Sequence, residues 1–218
     1  MSNLSNFNSL MKQSWSGVAV LSVFYIVIVI ALSLMSPWFF SFNNAMNIGI
    51  NMSYIGLMAA AGTPLIIAGG LDLSVAAVAG LTGVLITIFF GWIDNIWLAV
   101  AISLFVGAFV GAFNGFLATV LKFNPLIATL GTMSIITGFS LVLTGGLTKS
   151  MMLPEFNYIG VGRIFNVPIP LIIMIVVMFL LWLLMSKTKF GRFLYASGNN
   201  PDASLLLGVP VVKVQFYL

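Results

Sequence analysis

Long apolar runs alternate with short polar breaks along this chain. The complete runs cover roughly Gly17–Met35, Ala45–Ala68, Leu73–Phe90, Ile96–Val120, Leu126–Leu143 and Pro168–Met185, and a further one starts near Val214. Each complete run is about twenty residues, the length a helix needs to cross about 30 Å of hydrocarbon at about 1.5 Å per residue. A transmembrane barrel would instead alternate apolar and polar over segments of about ten residues. In lipid every backbone N–H and C=O must be satisfied within the protein, so continuous runs of this length predict spanning helices. The expectation is an all-α, polytopic transmembrane helical bundle with six complete spans and the start of a seventh. The first run is too long for the apolar core of a signal peptide and lacks a small-residue cleavage site, so it reads as an uncleaved span. Residues 1–16 then form a short N-terminal tail, and 17–218 the membrane domain.

The breaks orient the bundle. With the N-terminus inside, the inner segments are the tail, the 69–72 and 121–125 turns and the 186–213 loop, which hold Lys12, Lys122, Lys187, Lys189, Arg192 and Lys213. The outer segments hold only Lys149 and Arg163, offset by Asp94 and Glu155. This is the asymmetry of the positive-inside rule, and it places the N-terminus in the cytoplasm. Two breaks are long enough to carry work: an outer loop over 144–167 and a polar inner loop over 186–213. Within the inner loop, Pro201–Leu207 has a Pro start and Gly208 as a stop, the outline of a two-turn helix outside the membrane.

Composition narrows the function. Hydrophobic residues make up 61% of the chain and charged residues 6%, against about 25% charged in an ordinary soluble domain. There is no Cys and no His, which removes disulfides, thiolate metal sites, the commonest metal ligand and the commonest general base. No phosphate-cradling G-x-x-x-x-G-K-[ST], no H-E-x-x-H and no Ser/His pair occurs. The four carboxylates, Asp72, Asp94, Glu155 and Asp202, lie in four different segments with no acid/base spacing. Neither catalytic residues nor a metal or cofactor is expected, and the chain cannot hydrolyse ATP by itself. The net charge of +4 comes from basic residues scattered between spans, so membrane lipid rather than nucleic acid is the expected partner.

Three features could carry transport chemistry. The fourth span reads Ser103-x-x-x-Gly107-x-x-x-Gly111-x-x-x-Gly115, a small-residue stripe on which another helix can approach closely. That helix could belong to this chain or to a second subunit. In the fifth span, at about 100° per residue, Thr129, Thr132, Thr137 and Ser140 fall within one arc, with Gly131, Ser134 and Gly138 opposite. Those hydroxyls serve either structural hydrogen bonds or a path for a hydroxylated solute. Asp72, in Gly69-Gly70-Leu71-Asp72-Leu73-Ser74, lies where two glycines break the helix. It either accepts from the free N–H groups opening the next helix or contacts the solute, with Ser74 beside it.

The last of these segments resembles the G-G-I-D-L-S of ribose-type ABC permeases. Ala128-Thr129-Leu130-Gly131-Thr132-Met133, followed by Leu143-Thr144-Gly145-Gly146, is similar to that family's A-T-L-G-T-M…L-T-G-G. Phe190-Gly191-Arg192-Phe193-Leu194-Tyr195-Ala196-Ser197-Gly198-Asn199-Asn200 resembles its F-G-R-x-x-Y-A-x-G-x-N loop, with Gly208-Val209 fitting the G-[IV] that follows. The three motifs occur in the family's order from the second span onward. Where the family often continues D-L-S with V-G-[SA], this chain has Val75-Ala76-Ala77. The resemblance implies a permease subunit of a binding-protein-dependent sugar importer in the bacterial cytoplasmic membrane. Its implied partners are ATP-binding subunits, a periplasmic sugar-binding protein and a second permease subunit. The segment around Asn199, Asn200, Pro201, Asp202, Ala203, Leu205 and Gly208 is implied to be the coupling element that meets the ATPase, the alternative being a solvated connector. Family members continue through several more helices, so the domain is expected to be incomplete at Leu218. An ATP-independent carrier or channel, or a non-transporting remnant, are the other readings.

Overall fold

The computed structural model describes residues 2–151 and 153–218, with side chains from Gly17 onward. The chain divides into two units, Met1–Gly49 and Ile50–Leu218.

In the first unit, α1 runs over Ser2–Met35, so the backbone of the expected tail is helical from Ser2. Met1 and the side chains up to Ser16 lie outside the described residues. After α1 the chain turns through Pro37–Phe40, where the rings of Phe39 and Phe40 meet edge to face at 5.3 Å. The turn opens α2 (Phe42–Ile67). The Ser41 hydroxyl accepts from the Asn44 N–H at 3.2 Å, and the Asn44 amide donates to the Phe39 carbonyl at 2.8 Å.

The second unit continues α2 and adds α3 (Val75–Ile93), α4 (Ile96–Thr119), α5 (Pro125–Thr144), α6 (Pro154–Val161), strands β1 (Arg163–Ile164) and β2 (Val167–Pro168), α7 (Ile169–Lys187), α8 (Lys189–Asn199), α9 (Pro201–Leu206) and α10 (Val211–Phe216). Local chemistry sets the helix ends. Asp94 closes α3 in the left-handed conformation (φ 52°), and the Asn95 side chain accepts from Leu98 N–H at 3.1 Å to open α4. Asn124 accepts from Leu126 N–H at 2.9 Å with Pro125 in the first turn of α5, and Gly145 (φ 63°) ends that helix. Among the described residues, six helical stretches are long and apolar enough to span a membrane: Gly17–Met35, Phe42–Ile67, Val75–Ile93, Ile96–Thr119, Pro125–Thr144 and Ile169–Lys187. The chain is a polytopic helical membrane protein.

Helices α3, α4 and α5 form the core of this unit. Leu81, Leu85 and Ile136 are buried together, with Val78, Val106, Val110 and Leu143 packed around them. One end of the bundle, here the near end, carries the Gly69–Asp72 turn and α8–α10; the far end carries the α3–α4 turn and the 145–168 loop. Three features of the loops were not foreseen: α6 and a two-stranded hairpin at the far end, and α8 at the near end. At the far end, β1 and β2 pair antiparallel around a two-residue turn with Phe165 (φ 48°) and Asn166 (φ 65°) both left-handed. At the near end, α8 precedes the expected short helix. Its buried face, Gly191, Leu194 and Ser197, recurs every three residues and seats it on the bundle.

Candidate functional site

A chain of hydrogen bonds joins three helices at the near end. Asp72 Oδ1 accepts from both the backbone N–H and the hydroxyl of Ser74, each at 2.7 Å. Asn114 on α4 donates its amide to Ser74 Oγ at 2.9 Å. Thr132 on α5 donates to Asn114 Oδ1 at 2.7 Å, and also reaches the Ala128 carbonyl at 3.0 Å. Beside this relay, the Leu73 N–H donates to Thr129 Oγ1 at 3.3 Å, while that hydroxyl donates to the Pro125 carbonyl at 2.8 Å. Ser74 is fully buried, and Asn114, Thr129 and Thr132 are nearly so. Burying such groups costs a few kcal/mol each unless they are paired. The relay pairs them, and so ties the start of α3 to the middle of α5 through one amide.

Asn114 is the residue the sequence reading missed. Its signal was present: a lone amide inside an apolar span is expensive in lipid and must find a partner within the protein. It sits next to Gly115, and the glycine stripe drew attention to spacing rather than to polarity.

The relay borders a hollow of about 460 Å³, with Asp72, Asn114 and Thr129 on its wall together with Gly111, Thr119 and Gln215. A second hollow, about 530 Å³, lies in the groove between α3 and α5 toward the far end, where Thr137, Ser140 and Thr144 face Gly80 and Gly83. The hydroxyl arc of α5 is therefore divided. Thr129 and Thr132 serve the near end, and Thr137 and Ser140 the groove. Thr137 bonds only back to its own helix, at the Met133 carbonyl (2.8 Å), and the buried Ser140 hydroxyl has no protein partner.

The small-residue stripe on α4 faces this chain's own elements. Ser103 is buried and donates to the Ala99 carbonyl at 2.8 Å. A Cβ at Gly107 would come 3.0 Å from Thr82 Cγ2 on α3, and one at Gly115 would come 3.3 Å from the Phe216 carbonyl on α10. Gly111 meets nothing within 4 Å because it opens onto the near hollow.

In the near-end loop, Asn200 caps α9 by accepting from Ala203 N–H at 3.0 Å, with Pro201 in its first turn and Asp202 beside it. Gly208, at φ 80°, follows α9 and lets the chain turn back toward α10. Ser204 and Val209 are buried, whereas Asn199, Asn200, Pro201, Asp202, Ala203 and Leu205 are exposed. Leu206 and Leu207 are 91% and 83% exposed. Among the described residues no cluster of three or more His, Cys, Asp or Glu side chains is placed to hold a metal ion.

A multi-pass bundle with a polar relay inside it and a rigidly seated short helix projecting from one end is the outline of a membrane permease. Residues 44–218 match the family described as the branched-chain amino acid transport system / permease component, and the chain belongs to that family. The ribose import permease protein RbsC of Escherichia coli K12 is 34% identical over 194 residues, covering 87% of this chain and 60% of that protein. The L-arabinose transport system permease protein AraH of the same strain is 33% identical over 204 residues, covering 94% and 62%. The autoinducer 2 import system permease protein LsrD of Klebsiella pneumoniae is 32% identical over 178 residues, covering 75% and 51%. The chain thus spans about three fifths of the length of the curated relatives it matches first. No solved structure matches it.

Proposed function

We propose that this chain is a membrane-spanning permease subunit of a binding-protein-dependent ABC importer that moves a sugar across the bacterial cytoplasmic membrane. In this reading the near end faces the cytoplasm, consistent with its basic turns, and a partner subunit hydrolyses ATP. A sugar-binding protein delivers solute to the far end, and a second permease subunit completes the path. The names of the relatives support the solute class. The near hollow, with Asp72, Asn114 and Thr129 on its wall, presents carboxylate, amide and hydroxyl groups suited to a polyhydroxylated solute, and Ser74 and Thr132 hold that wall from behind.

The observation that carries the reading is the α8–α9 module. A leucine-rich tip lies outside every spanning stretch, exposed in this chain, on a helix whose own face is buried. Contiguous apolar side chains exposed among polar ones mark an interaction surface. Asn199–Gly208 is then the ATPase contact, with Leu205 as an anchor.

The test is co-purification. Leu205→Glu in the full chain, co-expressed with a candidate P-loop ATPase subunit that the parent chain retains, should lose that ATPase while membrane insertion is retained. Undiminished ATPase recovery with that variant would remove the coupling assignment.

A further inference from the structure

We infer that α8 is mechanically continuous with the polar relay, with Gly198 and Asn114 as the positioning residues at the two ends of that line. This rests on the reading of α8 and α9 as the ATPase-facing element, and it adds the route by which that element reaches the solute path.

The line begins where α8 meets the end of α2. A Cβ on Gly198 would overlap the Ile67 carbonyl oxygen and lie 3.2 Å from Ala68 Cα, so only glycine lets the two backbones touch. One turn earlier, the fully buried Leu194 packs against Ala68 and Val214, with Ile67 and Met185 at the edge. From α10, the Gln215 amide donates to the Ala68 carbonyl at 3.4 Å. The last turn of α2 is held by α8 on one side and α10 on another.

Beyond Ala68 the chain has little slack. The Gly69 N–H donates to the Ile66 carbonyl at 3.0 Å and the Gly70 N–H to the Leu65 carbonyl at 2.9 Å, so both glycines belong to the end of α2. Leu73 is already pinned to Thr129, and Ser74 to Asp72 and Asn114. Only Leu71 and Asp72 separate the two pinned points. A displacement of α8 that moves Ile67 and Ala68 therefore pulls on Asp72 and Ser74, and through Asn114 on Thr132. Packed interiors pass such shifts on rather than absorb them. Leu73 passes the pull to α5 directly through Thr129, whereas among the described hydrogen bonds Asn114 alone carries it from Ser74 to α4 and on to Thr132.

The chain has no cysteine, so Ala108→Cys places a single thiol on the wall of the near hollow, outside the relay. The experiment measures its modification rate by a water-soluble methanethiosulfonate in membranes containing the full chain. Gly198→Ala is expected to change that rate about fivefold or more, and to have a clearly smaller effect once Asn114→Ala is present, since only the Leu73–Thr129 link then remains. An unchanged rate, or effects of the two substitutions that simply multiply, overturns the line. Leu194→Ala loosens the same seat without a backbone clash, and its effect should depend on Asn114 in the same way; it decides the matter if Gly198→Ala does not insert. ATPase co-purification is read in parallel. Retention of the ATPase by Gly198→Ala with an altered thiol rate is the expected pair, and its loss with an unaltered rate assigns Gly198 to docking and overturns the inference. If the unsubstituted chain retains no ATPase, the proposed function fails, and the thiol cycle still decides the mechanical line.

Discussion

The two hollows along α5 are built from the same residue types and differ in what those residues do. At the near end, Thr129 and Thr132 bond across to α3 and α4, and every polar side chain of the relay is partnered. In the far groove, Thr137 bonds to its own backbone and the Ser140 hydroxyl is left over. One set of hydroxyls holds helices in register, while the other lines a space. Spacing on the helix did not separate them. What does is whether a neighbouring segment brings a polar group to the same level, as the Leu73 N–H does for Thr129 and Asn114 on α4 does for Thr132.

The contrast can be broken at its strongest point by Asn114→Leu. That change removes one bond from each of the buried Ser74 and Thr132 hydroxyls, which keep Asp72 and the Ala128 carbonyl, and should cost about 0.5–1.5 kcal/mol per bond lost. A clear fall in the thermal midpoint of the purified chain should accompany loss of uptake, and an unchanged midpoint would mean the relay holds nothing. Asp72 should show a graded effect. Asp72→Ala removes the acceptor for both Ser74 bonds and should destabilise by about 1–2 kcal/mol, while Asp72→Asn keeps an oxygen there and should cost about half as much. Equal losses from the two variants in a detergent melting assay would point to charge rather than geometry. Ser140→Ala should be the mildest, within about 0.5 kcal/mol of the parent in the same assay, because it deletes a hydroxyl that no protein group needs. A large loss there would place Ser140 among structural residues and erase the difference between the hollows.

Much of this architecture was readable before any coordinates. Spanning helices announce themselves because lipid imposes a length and forbids charge, so α2, α3, α4, α5 and α7 fall where the apolar runs lie. The Gly69–Ser74 turn was equally visible, since two glycines and a carboxylate between apolar runs leave few structures open. Tertiary contact decided the remainder. Helix α8 contains Gly191 and Gly198, which lower helix propensity, yet both stand where the backbone of Met185 or Ile67 presses close. Packing overrides the local preference and turns a polar loop into a seated helix. The β1–β2 turn was hidden for the opposite reason: Phe165-Asn166 lacks the Asn-Gly signature that such a turn usually requires. The role of Asn114 depended on which of several polar side chains in three spans would meet, and that is a matter of helix rotation.

The claim at the centre is that the near-end relay, and not the far groove, governs solute passage. It is tested most directly by initial uptake rates for a panel of labelled pentoses and hexoses, in cells carrying the ATPase and binding protein, with Thr132→Val and Ser140→Ala compared at matched membrane levels. The account predicts that Thr132→Val lowers uptake of the transported sugar about tenfold, equivalent to about 1.4 kcal/mol, while Ser140→Ala stays within about twofold of the parent. Normal uptake by Thr132→Val beside a collapsed rate in Ser140→Ala would contradict it, and would move the working path to the groove between α3 and α5.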